Sequence, residues 1–224
     1  MTTFGEALPV CIVDPVTKSN CYMLEAAGHV VIIDPNDFAQ IQQLLEQRGW
    51  TLDLVFLTHE HCDHISGLNS LRELYDISVL ASSACSDGIQ STTLNMTRIM
   101  ESYLYFKSGG CDVRQYPKFT CRPADMTFDE SFALRWYEYH FRFLAVPGHT
   151  LGSTCIVVNE QLLFSGDYFL PGEAVLTRLP GGDEAAYEAK GKPLLRSLPD
   201  NIRTFPGHGE AFLLTKEVKR DYGL

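Results

Sequence analysis

The segment Thr58-His59-Glu60-His61-Cys62-Asp63-His64 packs three imidazoles and a carboxylate into six residues, directly behind the apolar run Leu54–Leu57. A folded core does not tolerate that density of polar donors unless cations satisfy them, so the chemistry it points to is metal binding. The spacing carries geometry as well. If the strand leading in runs on through the ligands, His59 and His61 point to the same side, because strand side chains repeat every second residue. Asp63 and His64 follow once the chain has turned, where they can serve a neighbouring second ion. Three further candidates stand at loop positions after β-like runs: His149 in Val146-Pro147-Gly148-His149-Thr150, Asp167 closing Leu163-Phe164-Ser165-Gly166-Asp167, and His208 in Thr204-Phe205-Pro206-Gly207-His208. Imidazole and carboxylate donors without a thiolate suit Zn²⁺, and also Fe or Mn. Cys62 reads as a small filler at a free position of the run.

The elements that must present these residues alternate in the first third of the chain. Leu8–Asp14, Asn20–Glu25 and His29–Asp34 read as short strands punctuated by Asp14-Pro15 and Ala27-Gly28. Residues 37–48 read as a helix with Ile41, Leu44 and Leu45 on one face and Gly49 as its stop. A strand over 52–57, a helix over 67–75 and a buried strand over 77–81 follow. Residues 86–110 look helical, polar at first and aromatic at the end. From 119 to 145 the strand pattern returns, with runs at 131–138 and 139–145. Strands over 154–159 and 161–165 form a hairpin that turns at Asn159-Glu160. A helix over 183–197, a strand over 202–205 and a helix near 215–221 close the chain. Neither a repeat nor a linker interrupts residues 1–224, which read as one α/β domain.

Composition narrows the partners. Lys and Arg number 18 against 28 Asp and Glu, giving a net charge of −10. That excess disfavours nucleic acid, whose phosphates need clustered cations. No apolar stretch approaches the ~20 residues of a membrane span, and the amino terminus reads without a signal peptide. Seven scattered cysteines lack a C-x-x-C pair, and an odd scattered set suits reduced thiols in the cytoplasm. His29 and His140 have no motif around them and read as strand or surface residues.

Taken in order, Asp34, the run 59–64, His149, Asp167 and His208 resemble the signature of the metallo-β-lactamase superfamily, and they span most of the chain. The resemblance implies an αβ/βα four-layer sandwich of two mixed sheets, with helices outside and metals at one sheet edge. It implies that His59, His61 and His149 hold a first metal and Asp63, His64 and His208 a second, with Asp167 bridging. Asp34 would support the ligand loop rather than bind metal. The bridging Asp167 resembles the glyoxalase II-like hydrolases more than the zinc β-lactamases. Two departures stand out: Asp34-Pro35-Asn36 replaces the common Asp-Thr-Gly, and only 15 residues follow Gly209. That tail leaves no room for the helical domain with which glyoxalase II holds glutathione.

The resemblance therefore implies a dinuclear hydrolase, its ions most simply Zn, that attacks a small thioester, ester or lactone through a metal-bridging hydroxide. Asp63 would orient the nucleophile as well as bind metal. An insert over about 85–125 would form the lid, offering Arg98, Tyr103, Tyr105 and Lys107 to the substrate. A mononuclear iron oxygenase of the persulfide dioxygenase kind shares the ligand set. A phosphodiesterase, a β-lactamase-like hydrolase and a non-catalytic binding module compete with it on the same scaffold. A self-paired edge or insert could make a homodimer, though nothing in the pattern requires one.

Overall fold

Val30 and Ile32 face one way and Val31 and Ile33 the other, and the two pairs enter different cores. A strand buried on both faces must lie inside a stack, and this one, β3 (His29–Ile33), belongs to the first of two six-stranded sheets in a computed structural model describing residues 8–111, 113–170 and 172–224. Its sheet runs β1 (Val10–Val13), β2 (Asn20–Ala26), β3, β4 (Thr51–Phe56), β5 (Ser78–Ser82), β6 (Met126–Phe128). The second sheet runs from β12 (Phe212–Leu214) through β11 (Ile202–Pro206), β10 (Leu162–Gly166), β9 (Thr154–Val158) and β8 (Tyr139–Ala145) to β7 (Ser131–Trp136). In β9, Ile156 and Val158 meet the first sheet while Cys155 and Val157 face the outer helices. The inner core joins Phe56, Phe141 and Phe143, whose rings pack edge-on at about 5 Å across the sheets. The expected αβ/βα sandwich is the observed fold.

Helix α1 (Phe38–Arg48) starts where Asp37 accepts the Gln40 amide and stops where Gly49 turns left-handed at φ +64, burying Ile41 and Leu45. With α2 (Cys62–Ile65), α3 (Leu68–Leu74) and α4 (Ser83–Gly88) it covers the first sheet. The second is covered by a segmented helix and by α8 (Lys216–Asp221). The segmented helix comprises α6 (Glu184–Ala186), a π-helical turn (Tyr187–Gly191) and α7 (Lys192–Ser197). The 159–160 hairpin forms as expected, with both residues left-handed at φ +51 and +56, the geometry that matches strand twist.

Three expectations are corrected. The strand expected over 52–57 is Thr51–Phe56, so the condition under which His59 and His61 would share a strand face is not met; its partner β3 turns away at Asp34, whose φ is +55. His61, itself extended, stands instead at the N-cap of α2. Residues 86–110 do not form one helix: α4 ends at Gly88, and α5 (Met100–Lys107) starts only after a run of turns. Ser91 and Asn95 account for the break, since their side-chain oxygens accept the Leu94 and Thr97 amides and compete with helical pairing. The 183–197 helix carries the π turn, where Gly191 passes so close to the Pro147 carbonyl that a Cβ would lie 2.2 Å from it.

Neighbours β3, β4, β5 and β6 are parallel, as are β10 and β11, while β8 lies antiparallel to β9 and β9 to β10. The carboxyl ends of β3 and β4 in one sheet, and of β8, β10 and β11 in the other, therefore open on one edge of the sandwich. In sheets of this kind that edge is where ligands bind.

Candidate metal centre

Every candidate ligand follows one of those strand ends: Asp34 after β3, residues 59–64 after β4, His149 after β8, Asp167 after β10 and His208 after β11. The fold brings them together. Donor atoms of His59, His61 and His149 lie within 4.8 Å of one another, and so do those of Asp63, His64 and His208. A third grouping joins Asp34 to His59 and His64.

The orientation of the rings is specific. The far nitrogen of each imidazole in the first triad meets an oxygen: His59 Nδ1 meets Thr58 Oγ1 at 3.1 Å, His61 Nε2 the Pro180 carbonyl at 2.9 Å, and His149 Nδ1 the Leu176 carbonyl at 2.9 Å. A carbonyl only accepts, so His61 Nε2 and His149 Nδ1 must donate. Their inner nitrogens, His61 Nδ1 and His149 Nε2, then present lone pairs to each other at 3.0 Å. His59 Nε2 is buried there with no hydrogen-bond partner. Three inward lone pairs repel unless a cation lies between them. Donor atoms all within 4.8 Å of one another are close enough for three imidazoles to share one cation.

In the second triad, Asp63 Oδ2 lies 3.3 Å from His208 Nε2 and 3.7 Å from His64 Nε2. Asp167 stands between the two groups. Its oxygens lie 3.4 Å from His64 Nε2 and 3.7 Å from His208 Nε2 on one side, and 3.5 Å from His149 Nε2 and 4.0 Å from His59 Nε2 on the other. Six buried side-chain polar atoms lack a hydrogen-bond partner among the described residues. Five belong here, on His59, His64, Asp167 and His208. Native interiors rarely leave such atoms unpaired, and concentrated at one edge they fit two resident divalent cations.

Burial holds the His61 imidazole down at about 3 and depresses His59 and His149 below the ordinary histidine value, so the first triad is neutral and ready to ligate. Burial works the same way on His64 and His208, but the carboxylates of Asp63 and Asp167 outweigh it and raise both. Asp63 and Asp167 are in turn held ionised against burial by those rings.

Close packing fixes this arrangement. Asp34, left-handed at φ +55, aims its carboxylate at the ligand loop. It accepts the Thr58 amide at 2.7 Å and the Thr58 hydroxyl at 2.5 Å, and stands 3.3 Å from His64 Nδ1. Gly207 leaves Asp167 its place, since a Cβ there would fall 2.1 Å from Asp167 Oδ1 and displace that carboxylate. Motif reading did not single out several positioning groups. Ser19 Oγ donates to the Asp63 carbonyl at 2.7 Å. Asn20 and Tyr22 donate to the Pro206 carbonyl before His208. The Tyr168 hydroxyl accepts the His149 amide and donates to the Val146 carbonyl. Asn20 and Tyr22 carried one signal, polar groups within the strand run of β2, whereas Ser19 and Tyr168 lie outside strands and carried none.

Of the four insert residues, Tyr103 and Lys107 line a cavity of about 20 Å³ together with His149, Asp167 and His208. Arg98 and Tyr105 do not line it; Tyr105 borders a separate outward-facing cavity with Phe106 and Val113. His29 lies away from the site, 2.8 Å from Asp53, which also accepts the Trp136 indole N–H and so ties the two sheets together.

Residues 14–208 match the family model of the metallo-beta-lactamase superfamily. The chain belongs to that superfamily, and its fold and site define a metal-dependent hydrolase class. Among its relatives is the probable metallo-hydrolase YqgX of Bacillus subtilis, 29% identical over 208 residues with 92% of each chain covered. The hydroxyacylglutathione hydrolase of Bartonella henselae is 30% identical over 82% of this chain, which spans only 59% of that enzyme. The crystal structure of the BLEG-1 B3 metallo-beta-lactamase superposes with a TM-score of 0.74 at 26% identity, covering 92% of this chain and 94% of the other. No helix among the described residues is long and apolar enough to cross a membrane.

Proposed function

We propose that this chain is a dinuclear metallohydrolase of small carbonyl substrates, a thioester, ester or lactone. The observation that carries the reading is Asp167, whose two oxygens reach imidazoles of both triads at 3.4–4.0 Å. A carboxylate so placed would hold an ion on either side. Two divalent cations, when bound, supply Lewis acidity and a water acidified toward neutral pH. His59, His61 and His149 would hold one, and Asp63, His64 and His208 the other. Donors of nitrogen and oxygen alone favour zinc, with iron or manganese accepted by the same set.

The chain's own residues do the rest. Neutral first-triad imidazoles ligate without first losing a proton. Asp63, beside His208, orients the nucleophilic water through its carboxylate. Tyr103 and Lys107, carried by α5, close over the cavity, and about 20 Å³ is room for little more than one water. Leu170, Glu173 and Leu179 line the same cavity. Exclusion of bulk water then strengthens every charge interaction within. Lys107 is the cation offered to an anionic substrate group at the mouth.

The test is metal content per chain by plasma mass spectrometry on protein purified without added metal, followed by a screen of thioesters, esters and lactones. Two equivalents of divalent metal with chelator-sensitive hydrolysis support the reading. One equivalent of iron with oxygen uptake on persulfides would overturn it in favour of the oxygenase, and cleavage of β-lactams alone would shift the substrate class.

A further inference from the structure

Glu60 occupies the variable position between His59 and His61, and it is buried, 2% exposed. No Lys, Arg or His among the described residues stands within ion-pair distance of its carboxylate. A buried carboxyl without a cation is costly, so the fold must use it for something a smaller apolar residue could not do.

Its surroundings show what. Oε2 accepts the Thr150 hydroxyl at 2.8 Å, and Thr150 is braced by Ser153, whose Oγ lies 3.1 Å from the same hydroxyl and accepts the Thr150 amide. Three glycines from three separate segments cage the side chain. A Cβ at Gly88 in α4 would lie 2.6 Å from Glu60 Cγ, one at Gly152 2.4 Å from Oε2, and one at Gly181 2.7 Å from Oε1. Each is closer than real Cβ atoms come; at Gly152 the Cys85 backbone stands as near, at 2.6 Å, and requires glycine by itself, whereas Gly88 and Gly181 close on Glu60 itself. Two of these contacts fall next to the first triad's own fixings. Thr150 follows His149, and Gly181 follows Pro180, whose carbonyl orients His61. The Leu151 amide donates to the Gly181 carbonyl at 2.7 Å and closes the ring between the two loops. None of these contacts reaches the side chains of Asp63, His64 or His208: His64 faces Asp34, the Asp63 carbonyl accepts from Ser19, and the Gly209 carbonyl beside His208 accepts from Asn20.

We propose that Glu60 is a positioning residue for the first metal triad alone: its carboxylate clamps the His149 loop and the Pro180-Gly181 turn to the segment carrying His59 and His61. This rests on the metal-centre reading but not on the identity of any substrate.

The test reads metal placement rather than turnover. Metal-free wild type, Glu60→Gln, Glu60→Ala and Thr150→Val are titrated with Zn²⁺ against a chromophoric chelator. Crystals grown at limiting zinc give the occupancy of each site from anomalous scattering. Glu60→Ala and Thr150→Val should each weaken zinc at His59, His61 and His149 by about 10–100-fold, the usual cost of removing a group that orients ligands. Zinc at Asp63, His64 and His208 should stay within about threefold. Glu60→Gln keeps an acceptor for Thr150 and nearly the same volume, and should remain near wild type at both sites. Equal loss at both sites would reduce Glu60 to general packing, and unchanged zinc in Thr150→Val would remove the clamp. Either result overturns the proposal, as does Glu60→Gln losing as much as Thr150→Val; this last comparison stands even if Glu60→Ala does not fold. Wild type that binds zinc normally but hydrolyses nothing would refute the hydrolase reading and leave the clamp intact.

Discussion

Replacing Asp34 separates its two jobs, holding the backbone and holding a ligand. Its carboxylate accepts the Thr58 amide at 2.7 Å and hydroxyl at 2.5 Å, and faces His64 Nδ1 at 3.3 Å, all in a buried setting. Asp34→Asn keeps the shape, keeps an acceptor for the amide, and keeps a residue type that tolerates φ +55. It should cost the metal-free protein about 1 kcal/mol, the difference between a charged and a neutral acceptor. Asp34→Ala strands the buried Thr58 N–H, for about 1–3 kcal/mol, and adds about 1–2 kcal/mol for a left-handed alanine. Its total of about 2–5 kcal/mol would approach the whole stability of a marginal domain. Both variants remove the charge facing His64, so both should weaken the second metal about 10–100-fold. Urea unfolding of metal-free protein gives the first quantity and chelator competition the second. Asn and Ala destabilising equally would refute the backbone argument, and full second-site affinity in Asp34→Asn would refute the ligand argument.

Gly207→Ala places a Cβ 2.1 Å from Asp167 Oδ1 and 2.9 Å from His64 Cε1; it should cost about 1–3 kcal/mol as overpacking and abolish stoichiometric second-site zinc, read by plasma mass spectrometry. Of the seven free thiols, Cys11 and Cys111 are exposed and the other five buried. Burial pushes Cys121 and Cys155 up to about 12. A thiol-exchange reagent at pH 8 should therefore titrate two cysteines rapidly in native protein and all seven only after unfolding. Arg72 donates to the Arg122 and Pro123 carbonyls and to Asp125, with its side chain 3% exposed, so Arg72→Met should destabilise by about 2 kcal/mol. Burial opposes the Asp125 charge, but the Val79 amide and the Arg72 guanidinium hold its pKa below 3.8. Folding thus lowers that pKa. Its contribution is present above the ordinary carboxylate range and is lost as pH falls through the folded value; the half-exposed carboxylate keeps that slope shallow, and Arg72→Met should flatten it further in acid unfolding curves.

Where one residue type had one physical use, the fold was legible in the sequence. Asp37 and Gly49 bracket α1 because a cap acceptor and a left-handed stop are demanded by any helix. Asn159-Glu160 marks the β9–β10 hairpin because a polar pair led by Asn, which accepts positive φ, separates two apolar runs. The run 86–110 misled because its helical signal came from composition, whereas Ser91 and Asn95 spend their side chains on backbone amides. The overrun at Phe56 had a different origin. The apolar run Leu54–Leu57 gives no stop of its own, but a strand needs a partner, and Asp34 had already turned β3 out of reach. Nothing within residues 53–61 records that event. The three-residue strands β6 and β12 are too short to carry a period at all.

The site shows the same division more sharply. Its candidate ligands were legible because metal chemistry restricts them to a few residue types, and each follows the end of a strand. The groups that aim them were not, because an imidazole's far nitrogen asks only for an oxygen. For His149 that oxygen is the carbonyl of Leu176, and for His61 the carbonyl of Pro180, atoms that any residue would have supplied. What matters there is where the backbone passes, and glycine governs that. Gly207 lets the chain pass Asp167, while Gly152 and Gly181 let two loops close on Glu60. Side-chain identity therefore encodes the ligands, whereas their orientation is encoded in the absence of side chains around them. A residue such as Glu60 becomes visible only when those absences are assembled in three dimensions.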